Sequence, residues 1–135
     1  MRALTDSDVL IMAGGRSQRM RRSAGAAHKA LVSVLGVPMI ERNLRYVLES
    51  GFRNVVVAIN ALETELAAYL ERVAADLARS LGGRCETLIE DRPLGTIGAA
   101  REVQFKDALL VVNVDNLTAL SLTALLDHHR RAEAA

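Results

Sequence analysis

Val9-Leu10-Ile11-Met12-Ala13-Gly14-Gly15 is a continuous apolar run closed by two glycines. A run this short, ended by glycine, predicts a buried strand rather than a helix. An uninterrupted apolar strand needs cover on both faces, which is the situation of a parallel sheet lying between layers. The residues after the glycines differ in character. From 16 to 28 the chain is rich in Arg, Ser, Gly and Ala and has no period, so it reads as a long loop. Structureless loops of that length in compact domains usually serve a function.

Lys29 to Val34 resumes an apolar pattern and reads as a short extended segment. Pro38 stands where a helix should begin, at its first position. Met39, Ile40, Leu44, Val47 and Leu48 then recur at helical spacing as far as Gly51. Val55-Val56-Val57-Ala58-Ile59 predicts a second strand. A second helix is expected with Leu62, Leu66, Tyr69, Leu70, Val73 and Leu77 on one side, ended by Gly82-Gly83. Arg84 to Ile89 reads as a strand, Pro93 and Gly95 as a loop, and Ile97 to Val103 as the opening of a helix. Leu109 to Val112 is another apolar strand, and Ser121 to Ala134 a final helix. Strands alternating with helices predict right-handed crossovers and parallel pairing. The expected fold is α/β: a three-layer α/β/α sandwich with a mainly parallel sheet, Rossmann-like. Ligands of such sheets bind beyond the carboxyl ends of the strands. Gly14, Asn60, Glu90 and Asp115 each lie just past a predicted strand and are expected to share that rim.

A chain of 135 residues fits one domain, 1–135, able to bury a core without metals or disulfides. Aromatic residues make up only 3% of it, so Leu, Val, Ile and Ala must fill the core. That share also argues against a single-stranded nucleic-acid binder, which needs stacking platforms. The net charge of +1 predicts no broad basic field, yet Arg16, Arg19, Arg21, Arg22 and Lys29 fall close together. A concentrated basic loop in a nearly neutral domain suits a small, highly charged anion. The single cysteine, Cys85, excludes an internal disulfide and a cysteine-based zinc site. No apolar run approaches the roughly 20 residues needed to span a bilayer. A cytoplasmic location, with neither membrane nor nucleic acid as partner, is the expectation.

The chemistry concentrates in four places. Ala13-Gly14-Gly15, with Arg19 behind it, offers close backbone approach, amide N–H groups for phosphate oxygens, and a guanidinium that can fork onto phosphate. The same turn also reads as an ordinary strand ending with a solvated loop. It is neither a dinucleotide Gly-x-Gly-x-x-Gly motif nor a Walker A loop. Lys29 could stabilise charge developing on a transferred phosphate, or lie simply at the surface. Asp115 could hold Mg²⁺, which takes one or two carboxylates together with phosphate oxygens, or serve as a turn residue beside Asn116. Glu90 to Ala99, with Gly95 and Thr96, could read the edge of a base or form a plain connecting loop. His128 and His129 read as members of a solvated helix face.

Together these segments resemble the nucleotidyltransferase superfamily that activates sugar phosphates. Leu10 to Met20 resembles its glycine-rich motif, and His28-Lys29-Ala30-Leu31 its Pro-Lys motif. Val37-Pro38-Met39-Ile40 resembles the start of its first helix, Pro93-Leu94-Gly95-Thr96 with Gly98-Ala99 its base-proximal loop, and Val112 to Asp115 its metal-bearing strand. The resemblance implies that Ala13, Gly14 and Gly15 contact the nucleotide, Arg19 the leaving pyrophosphate and Lys29 the reacting phosphates. Glu90, Gly95 and Thr96 would lie by the base, and Asp115 would bind Mg²⁺. The implied reaction is attack by a sugar 1-phosphate on the α-phosphate of a nucleoside triphosphate, releasing pyrophosphate. Three places depart from the family pattern: Ser17-Gln18 in the loop, His28 in place of proline, and Val114 in place of glycine. The family's sugar-binding region and second metal carboxylate normally come later in the chain. The expectation is therefore the N-terminal portion of a longer nucleotidyltransferase domain, with a complementing C-terminal region or a homo-oligomer as partner. Two other readings stand beside it. One is a molybdenum cofactor guanylyl- or cytidylyltransferase, which Gly14 to Ser17, Arg19-Met20 and Lys29-Ala30-Leu31 resemble. The other is a non-catalytic nucleotide-binding or regulatory domain.

Overall fold

Strand β1 (Asp8–Ala13) is the spine of the molecule. The structure is a computed structural model and describes residues 8–14, 28–92, 94–95 and 97–133. β1 pairs in parallel on one side with β4 (Asn54–Asn60) and on the other with β6 (Leu109–Asn113), and β4 pairs in parallel with β5 (Arg84–Glu90). The sheet order is therefore β5-β4-β1-β6. The register sets Leu10 beside Val56 and Val111, so the apolar runs read from the sequence lie side by side. The α/β class and the parallel sheet are as the sequence predicts.

Between β1 and the first helix, a 3₁₀ turn (Lys29–Leu31) leads into an antiparallel ribbon of β2 (Ser33–Val34) and β3 (Val37–Pro38). Leu35 and Gly36 between them both have positive φ, the pairing a two-residue hairpin of primed type demands. Pro38 closes this ribbon opposite Ser33, and helix α1 (Met39–Glu49) starts one residue after it. The proline thus sits one position earlier than predicted, because its extended ψ of 145° serves the ribbon.

The chain is helical again from 64 to 80, as α2 (Thr64–Tyr69), a π turn (Leu70–Ala74) and α3 (Ala75–Ser80). Leu66, Leu70, Ala74, Leu77 and Ala78 form its buried side. Leu62 does not belong to it. The Asn60 side chain accepts from the Leu62 amide and holds a turn there, which leaves Leu62 exposed and starts the helix later. Ser121 caps the last helix, α4 (Leu122–Glu133), through its hydroxyl and the Ala124 amide.

Helices α1 to α4 all pack on one face of the sheet, against Val9, Ile11, Val55, Val57, Ile59, Leu110 and Val112. The crossover from β5 to β6 passes over the other face. There the sequence predicts a helix from Ile97 to Val103, but the chain makes one 3₁₀ turn (Gly98–Glu102) and then runs extended. Ile97 supplies no side-chain cap to that turn, and a Cβ on Gly98 would fall 2.4 Å from that of Leu94. Val103 leaves the helical region and buries itself with Ala99 against Leu10 and Ala58. This second layer is thin. A groove of about 710 Å³ opens beside it, lined by Val56, Leu88, Val103 and Phe105 among others. The crossovers leave β1 on one face and return to β6 on the other, so the topological switch point lies at the end of β1, at Gly14.

Candidate functional site

Gly14 follows β1 directly, and the carboxyl end of each neighbouring strand comes up beside it. Asn60 and Glu90 are in register at the ends of β4 and β5. The Ala61 amide donates to the Glu90 carbonyl at 3.1 Å, and the Val114 amide donates to the Met12 carbonyl at 3.2 Å. The predicted common rim of Gly14, Asn60, Glu90 and Asp115 is thereby formed from four separate strand ends.

Glu90 is the rim's unusual residue. Its side chain reaches across to Gly14, where a Cβ would lie 2.2 Å from Oε2, so only glycine admits the carboxyl in this position. Glu90 is 8% exposed, and its Oε1 is buried without a hydrogen-bond partner among the described residues. Burial raises its pKa above the ordinary carboxylate value, because the charged form loses hydration. A buried polar atom without a partner is rare in native proteins.

Lys29 comes to the rim on its 3₁₀ turn. His28 is buried and caps this turn: its Nδ1 accepts from the Ala30 amide at 3.0 Å. Ala30 is buried in the core, which leaves Lys29 facing outward. Lys29 Nζ lies 3.5 Å from Asp115 Oδ2, with the two side chains 23% and 53% exposed. Two sequence-predicted residues from distant parts of the chain are thus in contact. Val114 does not crowd Asp115. Its side chain is fully buried in the helical-side core, so the bulk that replaces glycine there points inward.

Gly95, with positive φ, follows β5 in the connecting loop as expected. Gly15, Arg19 and Thr96 lie outside the described residues, as do Ser17, Gln18 and Pro93. Among the described residues no group of three or more His, Cys, Asp and Glu could enclose a metal ion. Asp115 is instead a half-exposed carboxylate of the kind that holds Mg²⁺ jointly with phosphate oxygens and water, and this donor chemistry fits that ion. His128 and His129 are exposed on α4, as predicted, and His129 pairs with Glu133 at 3.2 Å. Burial pushes the Cys85 thiol up to about 12, so it stays protonated and unreactive.

One residue of the rim escaped the sequence reading. Asn43 is 3% exposed, on the buried side of α1 between Ile40 and Leu44. Its Nδ2 donates to the Met39 carbonyl at 3.1 Å and to the Val114 carbonyl at 2.8 Å. The signal was present: an asparagine on an otherwise apolar helix face needs a polar reason to be there.

Residues 9–135 match the family described as MobA-like NTP transferase domain. The chain belongs to this family of nucleotidyltransferases. Among curated relatives, this NTP transferase domain is 29% identical to a mannose-1-phosphate guanylyltransferase of Mycobacterium tuberculosis, over 94% of the chain and 35% of that protein. It is 32% identical to a molybdenum cofactor guanylyltransferase of Pseudomonas aeruginosa, over 84% of the chain and 50% of that protein. The chain thus spans half or less of the length of these relatives. The fold matches the crystal structure of HddC from Yersinia pseudotuberculosis complexed with GMP-PN, with a TM-score of 0.73 at 21% identity, over 90% of this chain and 53% of that one. No helix among the described residues is long and apolar enough to cross a membrane.

Proposed function

We propose that this NTP transferase domain binds a nucleoside triphosphate at the rim around Gly14 and transfers its nucleotidyl group to a sugar 1-phosphate, releasing pyrophosphate. The observation that carries the reading is the meeting of Lys29 and Asp115 at the switch point of a family-typical sheet. The chain is then the nucleotide-binding, N-terminal portion of a longer transferase domain, a reading supported by the share of each relative that it covers.

The proposed roles follow from chemistry. The acceptor's phosphate oxygen attacks the α-phosphorus, the bond to the bridging oxygen breaks, and pyrophosphate leaves. No covalent protein intermediate is required, so catalysis is positioning and charge neutralisation. Ala13, Gly14 and Gly15 bring backbone close to the phosphates. Lys29 turns from Asp115 to the reacting phosphates, and Arg19 faces the leaving pyrophosphate. Asp115 holds Mg²⁺, which when bound neutralises phosphate charge. Glu90, Gly95 and Thr96 lie by the base. Turned out from Gly14, the Glu90 carboxylate suits guanine best, because guanine presents two adjacent donors, N1–H and N2–H, to its two oxygens. Uracil and thymine present one N–H between two repelling carbonyls.

A second acceptor is favoured by one observation: the matched family is described by its MobA-like members, and a molybdenum cofactor guanylyltransferase is among the relatives. The experiment is thermal unfolding with Mg²⁺ and each of ATP, CTP, GTP, UTP and dTTP, followed by pyrophosphate release with sugar 1-phosphates and with molybdopterin. GTP at 100 times its Kd adds about 2.7 kcal/mol and shifts the midpoint by several degrees. Turnover with a sugar 1-phosphate supports the reading. Turnover with molybdopterin alone replaces it, and binding without turnover of either makes the domain non-catalytic.

A further inference from the structure

The start of α1 is bonded to the chain beside each half of the Lys29–Asp115 pair. On the Lys29 side, the Met39 amide donates to the Val32 carbonyl at 3.0 Å, and Val32 itself closes the 3₁₀ turn by donating to the Lys29 carbonyl. On the Asp115 side, the buried Asn43 side chain donates through Nδ2 to the Val114 carbonyl at 2.8 Å. That carbonyl belongs to the peptide plane leading into Asp115. The plane before it is held separately, by the Val114 amide on the Met12 carbonyl of β1. With Val114's side chain locked in the core, the backbone entering Asp115 has little freedom left.

Asn43 is well suited to this task. A carboxamide nitrogen carries two hydrogens, and both are used, one on Met39 of its own helix and one on Val114. A residue that served only its helix would need no partner across the molecule. A residue that served only the core would be apolar, as Ile40, Leu44 and Val47 around it are. Burying an amide here is favourable only because both donors are satisfied. The bond across to Val114 joins α1 to the one turn that carries the rim's exposed acid.

We propose that Asn43 is a positioning residue that fixes the Asp115 carboxylate opposite Lys29, and so sets the metal affinity of the rim. The inference rests on the reading of Asp115 as the Mg²⁺ ligand. Groups that orient a metal ligand without touching the metal affect its affinity by about tenfold to a hundredfold.

The test is a Mg²⁺ titration of the GTP-dependent thermal shift in the wild type, Asn43→Leu, Asn43→Gln and Asp115→Ala. The Mg²⁺ concentration at half-effect should rise about tenfold or more in Asn43→Leu, while the shift with GTP in EDTA stays at the wild-type value. Asn43→Gln, which keeps the donor pair, should recover part of the loss. An Asn43→Leu midpoint equal to the wild type's overturns the proposal, provided Asp115→Ala has lost the Mg²⁺-dependent shift. A full Mg²⁺ response in Asp115→Ala, or none in the wild type, overturns the metal reading and the positioning role with it. Should Asn43→Leu not fold, Asn43→Asp takes its place with the same two outcomes, since a carboxyl group cannot donate to both carbonyls.

Discussion

Lys29 Nζ stands 3.5 Å from Asp115 Oδ2, a cation and an anion from opposite ends of the chain meeting at the carboxyl rim of one sheet. A partly exposed pair like this contributes little to stability. Under the proposed function, the pair is two groups for phosphate chemistry held together until a nucleotide and a metal separate them.

Lys29→Ala and Asp115→Ala should each lower pyrophosphate release by about a hundredfold to a thousandfold, the scale of a lost charge-stabilising group. Both midpoints of thermal unfolding should stay near the wild type's. The two changes act on one constellation, so the double variant should lose less than the product of the single losses. EDTA should abolish turnover. Activity surviving both substitutions would remove these residues from the site.

Gly14→Ala should weaken nucleotide binding more than it weakens the fold. The added Cβ falls 2.2 Å from Glu90 Oε2, at the free end of a flexible side chain, so the carboxyl can swing away. Calorimetry should show reduced GTP affinity, with a smaller loss in Gly14→Ala/Glu90→Ala than the two single losses combined. Unchanged affinity in Gly14→Ala would place the nucleotide elsewhere.

The buried Glu90 carboxyl makes stability depend on pH in a definite direction. Its pKa is raised by burial from the ordinary value of 4.5. The folded chain then binds the proton more tightly than the unfolded one, and by linkage stability falls as pH rises above 4.5, levelling off past the folded pKa. Glu90→Gln cannot titrate. The wild-type midpoint measured relative to this variant should decline over that window, and a difference flat with pH would contradict the burial argument.

β6 lies at the edge of the sheet, paired among the described residues with β1 alone. Val111 of β6 itself is exposed, as are Leu125 of α4 and Leu117 and Leu120 of the segment between them. An exposed strand edge with apolar neighbours invites association. Light scattering should show mass rising with concentration, and Val111→Lys should reduce the effect. A monomer at every concentration would count against it.

Much of this architecture was legible in the chain because the signals are local. Short apolar runs ended by glycine or polar residues became β1, β4 and β6, and the helical spacing from Met39 became α1. Gly14, Glu90 and Asp115 could be named as rim residues because strand ends are readable and parallel sheets bind at one end. Packing across the molecule settled the rest. Ile97 to Val103 has a helical pattern, but Val103 gains more by lying extended against Leu10 and Ala58. Leu62 looks like a helix residue until the Asn60 side chain claims its amide. The contact of Lys29 with Asp115, the burial of Glu90 over Gly14, and the bond from Asn43 to Val114 join segments far apart in sequence. Such contacts depend on sheet order and crossover, which no local pattern carries. Apolar periodicity and turn residues thus sufficed for the elements and for the end of the sheet where chemistry would lie, while the packed fold chose which of those residues meet.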